Sequence, residues 1–171
     1  MPERRGRGSP GRQRCPPWRE GAAGDSGGGM THIGFHFNMP DKLAYACRLL
    51  RKAYAAGGPV GVVGPAPAIE ALDTELWRFS ALDFIPHCLA SAPEAMRVFT
   101  PIVLAQDCAD LPQTGVLVHL GDQVPAGFER FERLIELVDT SDADRSAARQ
   151  RWRHYADRGY PIQRHDLAAK E

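Results

Sequence analysis

HIGFHFNMPDKLAYACRLLRKAYAAGGPVGVV, residues 32–63, decides the fold. Its opening alternates Ile33, Phe35 and Phe37 against His32, Gly34 and His36, the two-residue period of a strand. Asp41 then stands where a helix begins, and Leu43, Ala46, Cys47, Leu50 and Tyr54 recur at helical spacing as far as Ala56. Gly57-Gly58-Pro59 stops that helix, and residues 60–63 form a short continuous apolar run, which reads as a buried strand.

The same alternation continues outward. Residues 66–77 make a second helix with Ile69, Leu72 and Leu76 inward, and residues 84–89 are short and extended around Pro86. Residues 101–105 and 116–120 are further buried strands, 128–132 a brief helix, 134–138 another strand, and 142–158 the last helix. Strands that alternate with helices predict an α/β fold: one doubly wound domain, its sheet mostly parallel, with helices on both faces. No internal repeat is present.

Before Met30 the chain is different in kind. Residues 1–29 are rich in Gly, Pro and Arg and nearly free of branched aliphatics, so they bury too little apolar surface to offset the entropy of ordering. They read as a disordered extension, either a tail or the product of an upstream start; a basic arm for nucleic acid is the rival. No hydrophobic region follows Arg4-Arg5, which argues against an export signal. Residues 30–171, about 140 residues, are a normal length for one domain with one core.

Lys and Arg total 21 and Asp and Glu total 21, so no global field draws the protein to nucleic acid or membrane, and any electrostatic targeting is local. The four cysteines, Cys15, Cys47, Cys88 and Cys108, are far apart with no metal-binding spacing, which points to reduced thiols in the cytoplasm. No apolar run approaches the length of a bilayer span.

Reaction chemistry is hard to find. The loop Asn38-Met39-Pro40-Asp41 has neither glycine pattern that lets backbone amides surround a phosphate, and Gly61 and Gly64 have the wrong spacing, so no functional nucleotide loop is expected. His119 and Asp122 form either an acid–base pair or a solvated strand end, the latter preferred. His32 and His36 share a strand face without a third ligand and read as surface histidines. His87 beside Cys88 is not a nucleophile dyad on its own. No cofactor is implied.

Two stretches remain. In LDTELWRFSALDFIPH, residues 72–87, Trp77 ends a helix and Phe84 opens the next extended piece. They are either a core hinge or an exposed aromatic patch for a partner protein. In DADRSAARQRWRHYADRGY, residues 142–160, Arg145, Arg149, Trp152 and Arg153 gather three guanidiniums and a large ring on one side of a helix that Gly159 ends. The rival is a solvated amphipathic helix with Ala148, Trp152 and Tyr155 inward and the arginines merely wet.

These stretches, with GVLVHLGD at residues 115–122, resemble the chi subunit of bacterial DNA polymerase III holoenzyme. The resemblance covers about residues 31–167 and is strongest in LDxxLWxxxxxxFxPH and RxRWxxYxxxGY. It implies a Rossmann-like domain without catalysis that joins two partners. The psi subunit of the clamp loader is expected at Trp77, Phe84 and Pro86, a surface that a repair helicase also uses in some relatives. The acidic carboxyl-terminal tail of single-stranded DNA-binding protein is expected at Arg145, Arg149, Trp152 and Arg153, with Gly159 and Tyr160 beside the pocket and Val138 in its apolar wall. DNA is then reached only indirectly. Arg at 145 and 153 and Trp at 152 depart from the family's Lys and Tyr, keeping charge and aromaticity while altering fork geometry and pocket size. The alternative is a direct single-stranded nucleic-acid binder that uses the arginine helix as a backbone track with Trp152 for stacking.

Overall fold

The computed structural model describes residues 30–78, 84–112 and 115–168; the expectation for residues 1–29 lies outside the described residues. The elements run β1 (His32–Met39), α1 (Lys42–Ala55), β2 (Val60–Val63), α2 (Ala66–Arg78), β3 (His87–Leu89), α3 (Glu94–Phe99) and β4 (Ile102–Ala105). They continue with β5 (Val116–His119), β6 (Arg133–Asp139), α4 (Asp142–Asp157) and β7 (Ile162–Asp166).

The strands form one sheet in the order β3-β4-β2-β5-β6-β1-β7, and every neighbouring pair is parallel. Parallel strands are joined by crossovers that cover the sheet, so central strands bury both faces. Accordingly β2 and β4 are buried along their whole length. On one face α1 and α2 press Leu50 and Leu72 against Val62, Leu104 and Leu137. On the other, α4 and the turn at Phe128 cover Ile33, Phe35, Val103, Leu117 and Leu134. This is an α/β fold consistent with a Rossmann-like domain.

Local chemistry explains the boundaries. The Asp41 carboxylate accepts from the Ala44 N–H at 3.1 Å and caps α1. Gly57, at φ +80, leaves the helix through the left-handed region that favours glycine.

Several expectations need correction. The brief helix at 128–132 is a single 3-10 turn, Phe128–Arg130, and only His87–Leu89 of the piece at 84–89 pairs as a strand. Sequence periodicity missed α3, which buries none of its residues, and β7, which buries none completely. His36 is buried rather than superficial: it shares a hydrogen bond with the Tyr45 hydroxyl, and its ring lies 4.5 Å from that of His165.

Candidate functional site

Helix α4 is fixed at both ends and along its underside. The Ser141 hydroxyl accepts from the Asp144 N–H at 3.3 Å, and Asp142 and Asp144 put negative charge in the first turn, where the helix dipole favours it. Asp144 also accepts from the Asp139 N–H at 2.8 Å and pairs with Lys42 at 2.7 Å, tying the helix start to β6 and α1. At the far end Gly159 adopts φ +77, and the Tyr160 N–H donates back to the Tyr155 carbonyl at 3.1 Å.

The inner stripe is Ala148, Arg151 and Tyr155. Arg151 and Tyr155 reach Glu136 on β6, which is 0% exposed. Arg151 Nε donates to Glu136 Oε2 at 3.0 Å and the Tyr155 hydroxyl donates to Oε1 at 2.6 Å. His119 Nδ1 stands 2.7 Å from Oε2. Burial alone would push the Glu136 carboxyl upward, but the charges and hydrogen bonds of His119, Arg151 and Tyr155 outweigh it and hold the group below the usual carboxylate range. The same burial and the adjacent carboxylate push the Tyr155 phenol far above its ordinary value. Directional bonds from one helix stripe to a single carboxylate resist rotation of α4 about its axis.

The flank of α4 therefore faces β1 and β7 in a defined way, and a cleft of about 510 Å³ opens there. Arg145, Arg149 and Trp152 line it from α4, Phe37 and Asn38 from β1, Val138 from β6 and Arg164 from β7. Trp152 is half-buried, its ring centroid 5.0 Å from that of Phe35, which leaves it as a wall rather than a core residue. Arg145 Nη2 donates to Asn38 Oδ1 at 3.0 Å, and the Asn38 amide donates to Asp166 at 2.8 Å. Asn38 sits at φ +66, where β1 slips register against β6; asparagine tolerates this region better than most residues. Among the described residues neither Arg149 nor Arg164 is paired with a carboxylate. A concave surface with unneutralised guanidiniums and aromatic walls is suited to an anion carrying an apolar group.

Of the residues expected here, Arg145, Arg149, Trp152 and Val138 come together. Arg153 is exposed on the same helix but does not line the cleft, and neither do Gly159 and Tyr160. Tyr160 instead packs its ring 5.2 Å from Phe128 and closes the end of α4. Trp152 was also a candidate for the inner stripe; Arg151, paired with Glu136, takes that place. Sequence reasoning missed Arg164 and Asn38, whose strand positions gave no sign that they face α4.

The aromatic pair lies elsewhere. Trp77 is 58% and Phe84 62% exposed, with ring centroids 5.4 Å apart, and Pro86 is half-buried beside them. The core-hinge reading is set aside by that exposure. Trp77 also lies 4.8 Å, ring to ring, from His87, the first residue of β3, whose buried ring shares a hydrogen bond with the Ile85 carbonyl at 2.7 Å and stands 3.1 Å from Asp73.

His119 and Asp122 do not form a pair. His119 turns to Glu136, while the Asp122 carbonyl accepts from Arg151 Nη1 at 3.1 Å. The strand ends where doubly wound sheets hold ligands carry a hollow of about 330 Å³, lined by Asp107 and Asp122 and, among the described residues, by no lysine or arginine. That lining is unsuited to phosphate.

Residues 30–163 match the family described as DNA polymerase III chi subunit, HolC. The chain is 36% identical over 147 residues to the DNA polymerase III subunit chi of Pseudomonas aeruginosa, covering 81% of this chain and 98% of that protein. It is 28% identical over 120 residues to the DNA polymerase III subunit chi of Haemophilus influenzae, covering 68% and 81% of the two chains.

Proposed function

The chain belongs to the chi-subunit family of DNA polymerase III, accessory subunits in DNA replication, and from that premise we propose that it is a non-catalytic cytoplasmic adaptor with two binding surfaces. The α4–β7 cleft takes the acidic carboxyl-terminal tail of single-stranded DNA-binding protein. The Trp77–Phe84 patch takes the psi subunit of the clamp loader. The observation that carries the reading is the convergence of Arg145, Arg149 and Trp152 on one cleft, with no carboxylate among the described residues paired to Arg149.

In this account the terminal aromatic of the tail enters between Trp152, Phe37 and Val138. Arg149 grips the free carboxylate with two parallel hydrogen bonds, which a guanidinium fork allows and an ammonium does not. Arg145 is already held by Asn38 and presents its remaining donors to the preceding aspartates. Calorimetry with a synthetic peptide of aspartates leading to Ile-Pro-Phe tests it. Arg149→Ala should cost about 2 kcal/mol or more, and Arg145→Ala roughly 0–1 kcal/mol with a shallower dependence on salt than the wild type. Equal and small losses from both would refute the gripping role.

A further inference from the structure

We propose that Arg164 is a specificity-determining residue of the α4–β7 cleft, making recognition depend on an internal acidic side chain of the ligand in addition to its terminal carboxylate. The inference rests on the tail-binding reading of that cleft.

Arg164 belongs to neither motif that carries the family resemblance. It sits on the edge strand β7, in register with Phe35 of β1, and the two-residue alternation of a strand turns it toward α4 while His165 turns toward His36 on the opposite face. Its guanidinium lies over two rings at once, 5.4 Å from the Phe37 centroid and 5.8 Å from that of Trp152. Aromatic faces hold a cation in place without neutralising it, and the edge of the guanidinium keeps its donors. Asp166, two residues on and turned to the same side, forms no ion pair with it; its Oδ1 instead accepts from the Asn38 amide at 2.8 Å and from the Ala168 N–H at 3.0 Å. Arg164 is thus an exposed, oriented cation with no carboxylate of its own among the described residues.

Its place decides what it reads. Arg149 lines the cleft from the helix wall and Arg164 from the strand wall, the latter over the Trp152 ring. In a peptide whose last carboxylate meets Arg149 and whose terminal ring lies against Trp152, the acidic side chains stand before the Ile-Pro-Phe ending, and Arg164 on the facing wall is the cation offered to one of them. A ligand with a free carboxylate but no such side chain would leave that cation unanswered.

The test is calorimetry on the full chain with two peptides, both ending in Ile-Pro-Phe with a free carboxylate, one with aspartates before that ending and the other with asparagines. Arg164→Met keeps the stem on the two rings and removes the charge. We expect it to weaken the aspartate peptide about tenfold and the asparagine peptide less than about twofold, with an unchanged melting temperature. Arg149→Ala should weaken both. An equal factor on both peptides from Arg164→Met would overturn the inference, placing Arg164 on the terminal carboxylate or in mere packing, and so would no effect on either. If the wild-type chain binds neither peptide, the tail-binding reading itself falls and takes this inference with it.

Discussion

At Glu136 one buried carboxylate accepts from Arg151 and Tyr155 and faces His119, so a single side chain joins two strands to the helix that walls the cleft. Replacing it by glutamine keeps the shape and removes the charge that Arg151, 1% exposed, depends on. Glu136→Gln should therefore destabilise the fold by about 3–5 kcal/mol, read as a lower denaturation midpoint. Because the folded carboxyl lies below its ordinary value, this contribution is present above the unfolded carboxylate range and is lost as pH falls through the folded value. The gap between wild type and variant should narrow on acidification, and a gap independent of pH would show that the charge is not its source. None of this was legible in advance: Glu136 reads as the polar interruption of an apolar strand and Arg151 as one more surface arginine. Ion pairing inside a core leaves no periodic trace, whereas the helical spacing of Arg145, Arg149 and Trp152 follows from geometry and was readable.

Among the elements, legibility followed burial. The central strands are continuous apolar runs because both of their faces are covered, α1 shows its start and stop in Asp41 and Gly57, and α4 shows its stop in Gly159. Strand β7 has neither signal. Its sequence, IQRHD, is half exposed and held chiefly by backbone pairing to β1, as when the Ile33 N–H donates to the Pro161 carbonyl at 2.9 Å. The Arg164 side of the cleft was hidden with it. The cap of α4 makes a separate test: Ser141→Ala removes the acceptor for the Asp144 N–H and should cost about 1 kcal/mol. Urea unfolding should show a lower midpoint at an unchanged slope; no shift would mean that Asp139 and Asp144 hold the helix start without the cap.

For the molecule as a whole, the position of the two surfaces matters most. Trp77 and Phe84 flank β3 and the cleft flanks β7, the opposite edges of a seven-stranded sheet. At about 4.8 Å per strand the edges stand roughly 30 Å apart, so two partners can sit on the protein without touching. Phe84→Ala should weaken psi association by about 1–3 kcal/mol and leave tail-peptide affinity unchanged, both measurable on one preparation. Loss of both together would mean that the patch supports the fold rather than a partner. The order of the sheet has another consequence. β1 is made before the other strands of the sheet, yet its neighbours are β6 and β7, which follow all the rest among the described residues. Until β6 and β7 are made an apolar strand with unsatisfied backbone groups waits for its mates, so the cleft side of the sheet is completed after the other edge, and a nascent chain stalled before β6 would expose a sticky edge to chaperones.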